Sequence, residues 1–245
     1  AHFTYTIPDA PTEITFSKQS TTGTAELPGA TLKILDSTGA IAKDAQGNDL
    51  TWVSGTVPHV VTGALNVGET YTLVEVTSPD GYAVAESIEF MLNDDGTISG
   101  TDGGKTVTMV DGPTTVTISK RAVGSSRELK GATLALYDPD GNLIAKWVTT
   151  GEAKVFEGVL IVGVTYTLKE LDAPDGYEVA SAITFKVKAD GTSKVVIMRD
   201  SLIEEEELPK TGDANDLGLW LGIMLSSLAM LIGVAAIARK RVRAS

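Results

Sequence analysis

The chain repeats itself. Residues 14–18 (ITFSK) return as 116–120 (VTISK), and 27–32 (LPGATL) return as 129–134 (LKGATL). Residues 71–75 (YTLVE) and 78–82 (SPDGY) return as 166–170 (YTLKE) and 173–177 (APDGY). Residues 107–111 (VTMVD) return as 196–200 (VIMRD). The same motifs in the same order identify a tandem duplication, so one fold must serve both copies. Each copy has roughly 90 to 100 residues, the size of a β-sandwich domain. Within each, apolar and polar residues alternate with period two between clusters of Gly, Pro, Asn and Asp, which predicts short strands and tight turns.

The junction repeats as well. Nine positions separate Asp111 from Lys120, and nine separate Asp9 from Lys18. Residues 1–10 therefore read as the last strand of a preceding repeat, and the chain as the C-terminal piece of a longer array. The two complete repeats are assigned to 11–112 and 113–202. The second is the shorter, by seven residues between its Lys and Glu and by six between its Glu and Asp. We assign the extra residues of the first repeat to loops.

Composition removes several function classes. Cysteine is absent, which excludes disulfide frameworks, thiol catalysis and zinc–thiolate sites. The two histidines, His2 and His59, give no support for a histidine metal cluster or a His-based triad. Residues 138–142 (DPDGN) superficially resemble a calcium loop, but Gly141 stands fourth rather than sixth and the twelfth position is Thr149. These residues and 36–39 (DSTG) are read as hairpin turns, and neither a metal nor a cofactor is expected. A formal charge of −12 argues against a nucleic-acid partner.

The last thirty residues differ in kind. Residues 217–238 carry no charge, and twenty-two helical residues span about 33 Å, enough to cross a bilayer. Arg239, Lys240, Arg241 and Arg243 follow within the tail 239–245, which predicts a cytoplasmic tail and an exported remainder. Residues 1–212 hold 16 of the basic and 30 of the acidic side chains, a charge of −14 on the exterior part. The chain starts without Met or a signal peptide, although this topology requires export, and so reads as a mature or truncated product.

Within the acidic linker 203–216 stand Leu208, Pro209, Lys210, Thr211 and Gly212, preceded by four glutamates. Pentapeptide, polar spacer, apolar span and basic tail together resemble the LPxTG cell-wall sorting signal of Gram-positive surface proteins. The resemblance implies a sortase as partner, cutting between Thr211 and Gly212. The Thr211 carbonyl would pass to an amine of peptidoglycan precursor or of another subunit. The membrane would hold the chain only before sorting, and its final place would be the cell wall.

Strand parity places charged residues on apolar faces. Positions i, i+2 and i+4 share a face, so Ile14 and Phe16 point with Lys18, and Val116 and Ile118 with Lys120. By the same rule Tyr71 and Leu73 point with Glu75, and Tyr166 and Leu168 with Glu170. Val107 and Met109 point with Asp111, and Val196 and Met198 with Asp200. Each repeat thus ends three apolar stripes in one Lys, one Glu and one Asp. Isolated buried ions cost several kcal/mol each, so the three should meet or be neutral. One reading is a buried salt-bridge triad, or strand ends that snorkel to solvent. The other is an amide between Lys and Asp side chains. An apolar pocket favours neutral amine and neutral acid, a protonated Glu can polarise the Asp carboxyl and relay protons, and fixed geometry supplies effective molarity.

The Lys near a strand opening, L-x-GA-T-L, Y-T-L-x-E-x-x-x-PDGY and the closing V-x-M-x-D together resemble the Cna B-type (SpaA-like, prealbumin-like) pilin domain across residues 11–202. The resemblance implies an all-β fold of tandem Greek-key, immunoglobulin-like sandwiches, here followed by one C-terminal transmembrane helix. It implies spontaneous isopeptide bonds from Lys18 to Asp111 and from Lys120 to Asp200, assisted by Glu75 and Glu170. Asp as acceptor implies that water leaves. Asp9 would be an orphan acceptor whose Lys and Glu lie upstream. The expected function is a sortase-anchored stalk, either pilin subunit or adhesin stem, that turns over no external substrate. The rival is an adhesin whose repeats themselves bind a host matrix protein or glycan. Against it, the repeats hold no aromatic cluster, and Trp52 and Trp147 occupy matching positions, which points to core packing. A host surface ligand is therefore expected upstream. A glycosidase using the Glu/Asp pair would need an open cleft, which the parity argument denies. The Tyr-Pro-Lys context in which shaft pilins of the family present an acceptor lysine does not occur in this chain.

Overall fold

Every regular element among the described residues is a strand. The computed structural model describes residues 11–100, 104–189 and 194–204. Asp9 with the strand at 1–10, the sorting motif at 208–212, the apolar span and the basic tail lie outside the described residues. The first repeat contains β1 (Glu13–Ser20), β2 (Gly23–Glu26), β3 (Thr31–Leu35), β4 (Thr51–Val53), β5 (His59–Thr62), β6 (Thr70–Thr77), β7 (Ile88–Leu92), β8 (Ile98–Ser99) and β9 (Thr106–Asp111). The second contains β10 (Thr115–Ala122), β11 (Lys130–Tyr137), β12 (Leu143–Thr150), β13 (Lys154–Glu157), β14 (Thr165–Asp172), β15 (Ile183–Lys186) and β16 (Lys194–Asp200).

Each repeat folds into two sheets. In the second repeat these are β13-β10-β16 and β12-β11-β14-β15. In the first, β1 pairs with β9 and also with β5 and β2, and the other sheet runs β4-β3-β6-β7-β8. The first and last strands of each repeat are parallel neighbours, β1 with β9 and β10 with β16. A parallel pair cannot close through a hairpin, so the chain crosses between the sheets several times before the last strand returns beside the first.

Period-two alternation decides which side chains meet between the sheets. Ile14, Phe16, Leu32, Ile34, Leu73, Phe90, Val107 and Met109 belong to the buried core of the first repeat. Val116, Ile118, Leu134, Leu136, Leu168, Phe185 and Met198 belong to that of the second. Trp52 pairs with Leu32 and Trp147 with Leu134, the same register in both copies. Both indoles pack against their cores, Trp52 with its ring 5.4 Å from Phe16 and stacked 4.3 Å from His59.

The extra residues of the first repeat fall in two stretches. Leu32 and Trp52 are separated by seven more positions than Leu134 and Trp147, so the first insertion lies between β3 and β4. There the Asp36 turn is followed by a second at Asp44, whose carboxylate accepts from the backbone N–H groups of Gln46 and Asn48. The second insertion lies between Phe90 and Asp111, the stretch that also holds β8, paired with β7. Asp36 and Asp138 are turn residues: Asp36 Oδ1 accepts from Thr38 and Ala40, and Asp138 Oδ1 from Asn142.

The repeats meet at a tight joint. The tip of the Pro-Asp-Gly-Tyr loop in the first repeat lies against the β13–β14 connection of the second. Thr114, fully buried at the junction, donates its backbone N–H to Gly81 O (2.8 Å) and its hydroxyl to Leu160 O (2.6 Å). Gly158 N–H donates to Thr114 O (2.9 Å). Gly81 has φ of 82°, and a Cβ there would stand 2.4 Å from the Gly158 carbonyl oxygen. Only glycine permits both the conformation and the approach.

Candidate functional site

Two clusters of charged side chains lie inside the sandwiches. Lys18, Glu75 and Asp111 form one, and Lys120, Glu170 and Asp200 the other. None of the six residues is more than 7% exposed. Snorkelling strand ends are thereby ruled out.

The parallel ladder sets each Lys–Asp pair. Lys18 pairs with Met109 and Lys120 with Met198, so each Asp lies two residues further along the last strand, on the same inward face. Lys18 Nζ is in contact with Asp111 Oδ1, and Lys120 Nζ donates to Asp200 Oδ1. The glutamate comes from the facing sheet. Lys18 Nζ stands 3.7 Å from Glu75 Oε1, and Lys120 Nζ 3.0 Å from Glu170 Oε2.

A bulge follows each glutamate. Leu32 pairs with Glu75 but Thr31 with Thr77, which leaves Val76 unpaired. Leu134 pairs with Glu170 but Thr133 with Asp172, which leaves Leu171 unpaired. Both unpaired side chains are exposed. Alternation turns the glutamate inward, and the extra residue after it bends the strand. The Pro-Asp-Gly-Tyr loop then brings the chain back across the glutamate. Ala85 N–H donates to Glu75 Oε2 and Ala180 N–H to Glu170 Oε2, each at 2.6 Å. Gly29 and Gly131, with φ of 101° and 99°, lie beside Pro79 and Pro174 of these loops, which ties the two motifs together.

Burial dominates the electrostatics. It pushes Glu75 up to about 7, against the pull of the Ala85 N–H and of Lys18; Asp111 beside it pushes the same way. Burial also raises Asp111, opposed by Lys18. Glu170 is raised by burial, opposed by the Ala180 N–H and Lys120. In both repeats the neighbouring Asp carboxyl raises the Glu further. Glu75, raised to about 7, suits proton relay near neutral pH. Four carboxyl oxygens other than Asp111 Oδ1, namely Glu75 Oε1, Asp111 Oδ2, Glu170 Oε1 and Asp200 Oδ2, are buried without a hydrogen bond of good geometry. Lys18 Nζ and Asp111 Oδ1 touch without hydrogen-bond alignment. A buried ion pair of this kind is costly, and conversion to amide and neutral acid would remove the charges.

Residues 12–105 and 114–201 each match the SpaA prealbumin-like fold domain. The chain belongs to this family. Among solved structures, this tandem SpaA-type chain is similar to the Bacillus anthracis TIE protein, at 19% identity, over 80% of this chain and 34% of that chain, with a TM-score of 0.42. It is similar to the shaft pilin SpaA from Lactobacillus rhamnosus GG, at 15% identity, over 81% and 100%, with a TM-score of 0.33. It is also similar to the C-terminal fragment of pilus adhesin SpaC from Lactobacillus rhamnosus GG, at 18% identity, over 81% and 100%, with a TM-score of 0.38. The chain spans about a third of the length of the TIE protein chain. No curated protein matches it.

The SpaA-type repeats also contain residues that parity did not reveal. Ala85 and Ala180 act through the backbone, for which side-chain patterning carries no signal. Glu26 and Glu128 immediately precede the L-x-GA-T-L motif, where strand parity gives them no role. Their position and spacing are equivalent in both copies, which was the available sign.

Proposed function

We propose that this chain is a sortase-anchored extracellular stalk, a pilin subunit or adhesin stem, whose two SpaA-type repeats are each locked by an autocatalytic Lys–Asp isopeptide bond. The observation that carries the reading is the buried Lys–Glu–Asp triad, built the same way twice from first strand, last strand and facing sheet.

The step balances as a condensation. The neutral amine of Lys18 or Lys120 attacks Cγ of Asp111 or Asp200. Glu75 or Glu170, protonated and donating to the Asp carboxyl, polarises it. A proton from nitrogen passes through the glutamate to the departing oxygen. The C–O bond breaks, water leaves, and an Nζ–Cγ amide remains. The sandwich supplies the orientation that makes the amide synthesis feasible without a separate enzyme.

Load supports the same reading. Lys120 and Asp200 are 80 positions apart, yet lie on adjacent strands that run in the same direction. Tension entering β10 and leaving through β16 would pass across the amide and spare the residues between. The LPKTG motif, apolar span and basic tail supply attachment: sortase would cut after Thr211 and join it to peptidoglycan precursor or another pilin subunit. Expression in a Gram-positive host tests the whole reading. The wall fraction should yield a product that ends at a joined Thr211, lacks Trp220 and carries both Lys–Asp crosslinked peptides. A wall product that still contains Trp220, or an extract with free Lys18 and Lys120, would overturn it.

A further inference from the structure

The backbone of each crosslinking lysine sits at a gap in its sheet. On the edge of β1 away from β9, pairing with β5 ends at Phe16 and pairing with β2 begins at Gln19. In the second repeat, pairing with β13 ends at Ile118 and resumes with the bridge from Arg121 to Glu128. The Lys18 and Lys120 N–H groups fall in this gap, with no strand carbonyl opposite. A buried backbone N–H must find an acceptor.

A carboxylate fills the gap in both copies. Lys18 N–H donates to Glu26 Oε2 (2.9 Å), and Lys120 N–H donates to Glu128 Oε2 (3.0 Å). The next residue closes the other side: Leu27 N–H donates to Lys18 O and Leu129 N–H to Lys120 O, both at 2.6 Å. Each lysine main chain is therefore gripped at N–H and C=O by two consecutive residues. The second carboxylate oxygen is itself held. Ser17 Oγ donates to Glu26 Oε1, and Arg121 Nε donates to Glu128 Oε1 (2.9 Å). The holding partners differ between the repeats, while the bond to the lysine N–H is the same.

We infer that Glu26 and Glu128 are positioning residues for isopeptide formation. They fix the Cα–Cβ direction of the crosslinking lysine, so that its four-carbon stem delivers Nζ to the Asp carboxyl. They touch no reacting atom and act through the backbone. A flexible lysine gains effective molarity only if its root is fixed, because the reacting atoms must be held near attack distance. This assignment rests on the crosslinking reading above.

The test uses the whole chain, recovered unfolded and unlinked from inclusion bodies and diluted into native buffer. Intact mass and tryptic mapping follow the loss of water in each repeat with time. Glu128→Ala should slow closure of the Lys120–Asp200 link about tenfold, as expected for loss of a charged hydrogen bond, while the Lys18–Asp111 link keeps its rate. Glu128→Gln retains an acceptor oxygen and should close at close to the wild-type rate. A Lys120→Met background, which forms no second link, separates folding from positioning. There, adding Glu128→Ala should leave the second repeat folded, with slowly exchanging core amides. Wild-type closure rate in Glu128→Ala would overturn the assignment, as would loss of the fold in the Lys120→Met background. A wild-type chain that loses no water at all would overturn the crosslinking reading itself, and this assignment with it.

Discussion

Asp200 stands two residues beyond Met198, the partner of Lys120 across a parallel ladder, and the two charged side chains meet inside the sandwich. Lys18 and Asp111 repeat the relationship around Met109. Parallel register places donor and acceptor on one face, about 6–7 Å apart along the strands, a gap that a lysine stem bridges.

Replacing Glu170 with Ala should leave the second repeat folded but unlinked. Its mass should exceed that of the linked form by one water after correction for the substitution, with the first repeat unaffected. Loss of a tie closing a loop of this length corresponds to about 4–5 kcal/mol on the chain-entropy model. The melting temperature of the second repeat should fall by on the order of 20 °C in calorimetry.

Closure of the first link should depend on pH. Glu75 is raised by burial from 4.5 to about 7, so its protonated form dominates below about 7 and is lost above it. Unlinked chain diluted into buffer at pH 6 should form the Lys18–Asp111 amide faster than at pH 8.5, read by mass against time. The sign for stability is the same. The folded state binds this proton more tightly than the unfolded one, so the contribution of Glu75 to unlinked stability falls as pH rises from about 4.5 to 7. A closure rate that rises steadily through this range would remove Glu75 from the proton relay.

Gly81→Ala should open the joint between the repeats. The added methyl meets the Gly158 carbonyl, and φ of 82° is strained for alanine. The equivalent Gly176 has the same φ of 82° but nothing within 4 Å, so Gly176→Ala incurs only the strain, about 1–2 kcal/mol. Hydrogen exchange at the Thr114 N–H should speed up in Gly81→Ala and not in Gly176→Ala. Both variants should still form both links, because neither glycine belongs to a triad.

The sequence disclosed the triads because burial in a sandwich follows period two, and Lys, Glu and Asp broke that pattern at matching places in two copies. Duplication made the reading possible: one misplaced lysine is ambiguous, while two that close the same motif, at 14–18 and 116–120, mark a built feature. Other parts were hidden. The bulges at Val76 and Leu171 leave no mark in an alternating sequence, since both are ordinary apolar residues that turn outward. The Ala85 and Ala180 contacts use main-chain N–H groups, and any residue there would supply one. The strand β8 is two residues long and is paired only with β7 among the described residues. The joint depends on Gly81 meeting a loop far along the chain, which local turn chemistry cannot foretell.

Intact mass of the folded chain, followed by tryptic mapping, tests the central claim most directly. The account predicts a mass two waters below that calculated from the sequence, with crosslinked peptides joining Lys18 to Asp111 and Lys120 to Asp200. A mass equal to the calculated value, with all four side chains recovered free, would contradict it and leave the two clusters as buried ion pairs.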